Sequence, residues 1–225
     1  LSDGPPARSA PGCPPDEPSK IPGLADLVDE LAKSAQGLIM VMGKGGVGKT
    51  TVASAIAVGL VQRGKGVHLS TTDPAAHVAA TVDAGMVGLT VDRIDPRAET
   101  DRYIAKVMDS RRHSLDPEGL ALLREDLNSP CTEEVAVFHA FSRIVGEARQ
   151  SFVVLDTAPT GHTLLLMDAA GAYHRQMMHD LDPGRPGRVV TPLMRLQDRD
   201  YTKIVLVTLP EATPVSEASA LQDDL

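Results

Sequence analysis

Tryptophan is absent from this 225-residue chain, and only three tyrosines and three phenylalanines are present. A core must therefore be assembled from Val, Leu, Ile, Ala and Met. Cysteine is almost as scarce. Cys13 and Cys131 stand in unlike surroundings, which excludes a disulfide framework and points to a reducing, cytosolic setting. No apolar run approaches the roughly 18 residues of a membrane-spanning helix, and the polar, proline-rich start is no secretory signal. Basic runs are missing as well. With 22 Lys and Arg against 30 Asp and Glu the formal charge is −8, which argues against a nucleic-acid backbone as the main partner. No internal repeat is visible.

What stands out instead is Gly43-Lys44-Gly45-Gly46-Val47-Gly48-Lys49-Thr50, which satisfies G-x-x-x-x-G-K-[ST] at every fixed position. A short apolar run, residues 37–42, precedes it with the length of a buried strand. The run 51–61 follows as an apolar helix. Glycines let successive N–H groups curl around a phosphate without a Cβ in the way, and the helix opening near Lys49 adds its positive end. Lys49 is placed to reach the β- and γ-phosphates, and the Thr50 hydroxyl to take a Mg²⁺ position, with Thr51 closing the loop. Lys44 is not required by the pattern. It is either a solvated loop charge or a lysine that reaches a nucleotide across a dimer face.

The rest of the chain reads in order. Residues 1–22 hold seven prolines, Pro5, Pro6, Pro11, Pro14, Pro15, Pro18 and Pro22, and form a linker or tail with too little apolar surface to order itself. Leu24, Leu27, Val28 and Leu31 share one face of a short helix. Gly64 stops the helix after the loop. Residues 67–72 and 89–94 are strands, 97–127 two helices divided at Pro117, and 130–150 a further helix opened by Ser129-Pro130. Residues 151–156 form a buried strand ending in Asp156, 163–178 a helix, 181–188 a Pro/Gly loop, 202–208 a last strand, and Pro214 a helix start. Strands alternating with helices imply an α/β P-loop NTPase fold: a mainly parallel sheet flanked by helices, with a helical insertion between the third strand and the Asp156 strand. The unit is expected to span 23–225 and to be cut short at the C-terminus, because the chain starts with Leu rather than Met and stops inside a helix-like pattern.

Ligands of such sheets gather beyond the carboxyl ends of the strands, where the loop, Asp73 and Asp156 all fall. Asp156 is placed to hold Mg²⁺, or else caps the next turn. Asp73 is placed to orient or deprotonate an attacking water, or else serves a plain turn before Pro74. Lys44, Lys49 and Asp73 are then the catalytic set, and residues 43–51 the nucleotide cradle.

Together, Gly43–Thr51, Ser70-Thr-Thr-Asp-Pro-Ala-Ala-His77 and Asp156-Thr-Ala-Pro-Thr-Gly-His-Thr163 resemble the arsenical pump-driving ATPase family, from about residue 24 onward. Ser129-Pro-Cys-Thr-Glu-Glu134 and Gly171-Ala-Tyr-His174 are similar to the second of that family's two homologous halves, and the Pro-rich start to the linker between them. The resemblance implies ATP and Mg²⁺ as ligands and hydrolysis stimulated by arsenite or antimonite. It also implies a homologous ATPase half and an integral-membrane arsenite channel as partners, and a cytoplasmic protein peripheral to the inner membrane. It places Lys44 at the interface of paired units, Asp73 in a first switch, and Ser129, Cys131 and His162 in the metalloid site. A soft trivalent metalloid prefers thiolate, which suits Cys131 at a helix start. On its own, though, Cys131 reads as a small buried residue, Ser129 as an N-cap and His162 as a helix-start hydrogen bonder. An alternative resemblance is to the ATPases that deliver tail-anchored membrane proteins, although their Cys-x-x-Cys pair is absent here. A partitioning-type nucleotide switch fits less well, since Asp156-Thr-Ala-Pro-Thr160 lacks its Asp-x-Pro-Pro-Gly form.

Overall fold

The computed structural model describes residues 22–73, 82, 85–158, 169–171 and 190–225. Strand β1 (Gly37–Met42) leads through the glycine loop into α2 (Lys49–Gln62), preceded by α1 (Leu24–Leu31). Then come β2 (Val67–Thr71), β3 (Leu89–Arg93), α3 (Pro96–Arg111), α4 (Pro117–Asp126) and α5 (Pro130–Glu147). Strand β4 (Phe152–Asp156), the one-turn α6 (Pro192–Leu196), β5 (Thr202–Leu206) and α7 (Ala212–Asp224) complete the described chain.

All five strands are parallel, in the order β3-β2-β4-β1-β5. The three inner strands are buried along their whole length, which is why β1 and all but the last residue of β4 read as unbroken apolar runs; β2 is the exception, its His68, Ser70 and Thr71 being buried polar residues. The pleat sorts their side chains. Ile39, Val41, Leu69 and Val154 meet α1 and α2 on one face, where Ala53, Ile56, Ala57 and Leu60 pack. Leu38, Met40, Met42, Val153 and Leu155 meet α5 and α7 on the other, against Phe141, Ile144, Val145 and Leu221. The result is a three-layer sandwich, and the fold class read from the sequence is the one observed. The edge strands β3 and β5 carry exposed positions. Helix α6 was not legible beforehand, being a single turn capped by Thr191.

Local chemistry sets the helix ends. Asp95 and Asp116 accept backbone N–H bonds from the first turns of α3 and α4, each with Pro at the first helical position. After α2, Gly64 takes φ +75°. Its N–H bonds to Val61 and that of Lys65 to Leu60, the paired closure that a left-handed residue permits. Helix α7 begins at Ala212, not at Pro214, because Glu211 is already the boundary residue and Pro214 sits within the first turn, where its missing N–H is not needed.

His68 ties three elements together. On β2, its Nδ1 lies 2.6 Å from Glu147 Oε2 of α5 and its Nε2 3.1 Å from Asp92 Oδ1 of β3. Arg143 of α5 in turn contacts Glu147 and Glu99. The Asp92 carboxylate beside Nε2 raises the imidazole pKa, burial opposes it, and Glu147 adds to the rise. A raised folded-state value means that stability is greatest below the unfolded value of about 6.5 and is lost as pH rises through the folded one. Thermal melts from pH 6 to 9 should therefore show a decline in melting temperature that His68→Gln flattens.

Candidate nucleotide-binding site

The site is built where β1, β2 and β4 end. Val41 and Thr71 are both in register with Asp156, so the three chains leave the sheet at one level. In the order β3-β2-β4-β1-β5 the connection from β1 leads toward β2 and that from β4 toward β5, a reversal of direction at adjacent strands beyond whose carboxyl ends ligands of such sheets bind. Gly43 sits so close to the neighbouring chain that a Cβ would stand 2.3 Å from the Val207 carbonyl oxygen. Gly46 and Gly48 take φ +82° and +94°, backbone that side-chain-bearing residues rarely adopt. Gly45 and Gly46 are exposed at the rim, Val47 is buried beneath them, and α2 starts at Lys49 with Thr50 and Thr51 in its first turn.

Asp156 is the centre of the polar network and is 1 % exposed. Its Oδ2 accepts from the Thr50 hydroxyl at 2.8 Å and from the Thr71 hydroxyl at 3.2 Å. Its Oδ1 is buried with no hydrogen-bond partner among the described residues. Burial pushes the Asp156 carboxyl up. The two hydroxyls and the Lys49 ammonium pull it back, and the charge of Asp73 raises it further. Lys49 is itself buried and donates to the Lys44 carbonyl at 3.0 Å. Burial lowers its pKa, against the pull of Asp156 and then Asp73. Asp73 thus lies at the same end of the sheet as the loop, within electrostatic reach of both, and its N–H donates to Thr71 Oγ1 at 3.1 Å. Lys44 is half-exposed and ion-paired with Glu217 of α7.

Thr71 and Thr72 stitch the crevice together. The Thr72 hydroxyl accepts the Ala158 N–H at 2.9 Å, joining the segment after β2 to that after β4. Neither residue was picked out from the sequence. Nothing in the local pattern says that β2 lies beside β4, and that adjacency is what brings Thr71 to Asp156.

Ser129 and Cys131 sit together at the start of α5, and His162 lies outside the described residues. Two expectations change there. Ser129 holds the N-cap position, yet its hydroxyl pairs with Thr132 Oγ1 at 3.1 Å rather than capping the backbone. Cys131 is exposed, not buried. Helix α5 has 18 residues, about 27 Å, whereas a five-residue strand spans about 17 Å. Its contacts with the sheet's core run from Val137 to Ala148, and Thr132, Ala136 and Phe138 are buried nearer its start, while Cys131 faces solvent in the first turn. Among the described residues no three His, Cys, Asp or Glu side chains converge as a metal site, and no helix is long and apolar enough to cross a membrane.

A glycine loop between β1 and α2, a hydroxyl at its end and a buried carboxylate closing the adjacent strand define a P-loop nucleotide-binding protein. The chain belongs to the anion-transporting ATPase family, whose sequence profile matches residues 36–195. It is 57% identical over 202 residues to an arsenical pump-driving ATPase of Escherichia coli, covering 90% of this chain and 34% of that protein. To the arsenical pump-driving ATPase of Acidiphilium multivorum it is 58% identical over 202 residues, again 90% of this chain and 34% of the relative. The ATPase GET3 of Paracoccidioides lutzii is 31% identical over 160 residues, 66% of this chain and 46% of that protein. The chain spans about a third of the length of the arsenical-pump relatives.

Asp156→Asn removes a carboxylate whose ionised form is penalised by burial. The variant should melt a few degrees higher at neutral pH, about 2–4 °C for a domain of this size, and should lose any gain in melting temperature on adding Mg²⁺ with ATP. Differential scanning calorimetry reads both.

Proposed function

We propose that this chain is a nucleotide-binding and hydrolysing half of an ATPase that drives efflux of trivalent metalloid, arsenite or antimonite. The observation that carries the proposal is the Thr50–Asp156–Thr71 network beneath the loop of Lys49, with Asp73 beside it. The oxygen-only donors and the orphaned Asp156 Oδ1 fit a hard divalent cation. Mg²⁺ would be held by Thr50 and Asp156, and ATP by residues 43–51. When bound, the cation would neutralise charge on the phosphate oxygens of the nucleotide.

The protein's part is positioning and charge. Lys49 reaches forward from the helix start to the terminal phosphates, exchanging the Lys44 carbonyl for phosphate oxygens. Asp73 orients a water and takes up its proton. Lys44 supplies a further cation to the developing negative charge; such cations are worth roughly 10³–10⁵ in rate in related sites. In this reading the partners are a homologous ATPase half and an integral-membrane arsenite channel, and the protein works in the cytoplasm, peripheral to the inner membrane. The Pro-rich 1–22 segment joins the halves and 23–225 belongs to one ATPase domain.

Ser129, Cys131 and His162 are this half's share of the metalloid site. A soft three-coordinate ion needs more thiolate than one cysteine supplies, so other ligands come from the partner half. The exposed Cys131 in the first turn of α5 is accessible to such an exchange. The similarity to GET3 raises a second reading, delivery of tail-anchored membrane proteins.

The test is ATP turnover by the full-length protein with and without antimonite. Turnover should rise with antimonite several-fold, and Cys131→Ser should blunt that rise while leaving basal turnover within about twofold. Unchanged stimulation in the variant removes Cys131 from the site. No stimulation, with a hydrophobic helix co-purifying, favours the delivery reading.

A further inference from the structure

Both lysines of the glycine loop are engaged within the chain. Lys49 Nζ donates to the Lys44 carbonyl at 3.0 Å, and Lys44 Nζ is ion-paired with Glu217 Oε1 on α7. Lys49 is the ammonium group that a triphosphate in this loop would draw, and Lys44 the one that would reach a triphosphate across the interface of paired units. The second pairing joins residues 173 positions apart and was not visible in the sequence.

The geometry around the pair is fixed from both ends. The chain after β5 runs beside the start of the loop: Val207 N–H donates to the Met42 carbonyl at 2.8 Å, and Gly43 rests against the Val207 carbonyl. Further along α7, Leu221 is 4 % exposed and packs into the core face that Met42 shares. Glu217 lies one helical turn before Leu221, on the same side of the helix and nearer the loop. A cavity of about 300 Å³, bordered by Gly43, Lys44, Glu217, Ala218 and Leu221, opens beside the pair and leaves the lysine room to swing. The two side chains are 52% and 42% exposed. An exposed pair of this kind biases a competing equilibrium by no more than about fivefold, which is too little to hold α7 in place but enough to set where Lys44 points.

We propose that Glu217 is a positioning residue for Lys44: it retains the lysine against α7 until a triphosphate held by the paired unit competes for the ammonium, so that nucleotide binding releases Glu217 and changes the surface of α7. This rests on reading the loop as a triphosphate site. The exchange is reciprocal: whatever engages Glu217 on α7 makes Lys44 more available to the nucleotide.

Zero-length carbodiimide coupling tests the proposal, because it joins a carboxylate to an amine only when the two are in contact. Mass spectrometry of the treated full-length protein should find a Lys44–Glu217 isopeptide, and its yield should fall with ATP and Mg²⁺ over the range in which mant-ATP fluorescence reports binding. Glu217→Gln should tighten mant-ATP two- to fivefold with an unchanged melting temperature, whereas a merely structural carboxylate would alter melting and not affinity. In a Lys44→Ala background the same change should have no effect on affinity. Absence of the cross-link, a yield indifferent to saturating nucleotide, or a Glu217→Gln effect that survives Lys44→Ala each overturns the proposal. Cross-linking without any mant-ATP binding overturns the triphosphate reading and the proposal with it. Binding without a cross-link overturns the proposal alone.

Discussion

The structure turns on one buried carboxylate. Asp156 ends the central strand β4, is closed off from solvent, and is held through one oxygen by hydroxyls from two different elements, Thr50 on α2 and Thr71 on β2. A charge in that position is costly unless paired and hydrogen-bonded. Two neutral donors on one oxygen, with the other oxygen left over, offset only part of the penalty, and burial dominates the upward pull on its pKa. Lys49 carries the complementary strain, its ammonium pulled down by burial. Groups arranged in this way are poised to take up further charge rather than to stabilise the fold, as expected where stability is given up for function.

Such an arrangement needs a rigid support, and the sheet supplies it. Small residues on α2 let that helix lie close to the strands: Ala53 and Ala57 are fully buried, and a Cβ on Gly59 would come within 3.0 Å of Val28 of α1. With α1 and α2 on one face and α5 and α7 on the other, β1, β2 and β4 are clamped from both sides. Their carboxyl ends are therefore fixed in relative height, and the hydroxyl–carboxylate distances follow from that registration. The same clamp connects the crevice to the periphery. Helix α5 carries Cys131 at its start and Glu147, the partner of His68, at its end, while α7 presents Glu217 to the loop.

Much of this was legible beforehand, and unevenly so. The glycine loop and the strands β1 and β4 were readable because their signals are local: backbone curvature demands glycine, and double-sided burial favours continuous apolar runs. The starts of α4 and α5 were readable from Pro117 and the Ser129-Pro130 pair, whereas α3 starts one residue before the expected 97, at Pro96 behind the Asp95 cap. Pairings made across the sheet were not. His68, given no role from its sequence neighbours, proves to bind carboxylates on β3 and α5. Cys131 looked like a core residue because small apolar side chains usually are. It is exposed because it lies on the outer side of the first turn of α5, whose inner side buries Thr132.

By itself the sequence determined that a phosphate-binding loop lies between a buried strand and a helix, that acids follow two later strands, and that the sheet is parallel. Each of these is written in residues only a few positions apart, where backbone geometry and side-chain period act directly. The order β3-β2-β4-β1-β5 and everything that depends on it were decided in three dimensions: Thr71 against Asp156, Glu217 against Lys44, and His68 between two acids. Those contacts join residues far apart in the chain, and which of the possible neighbours meet is settled only when the two apolar faces of the sheet are covered together.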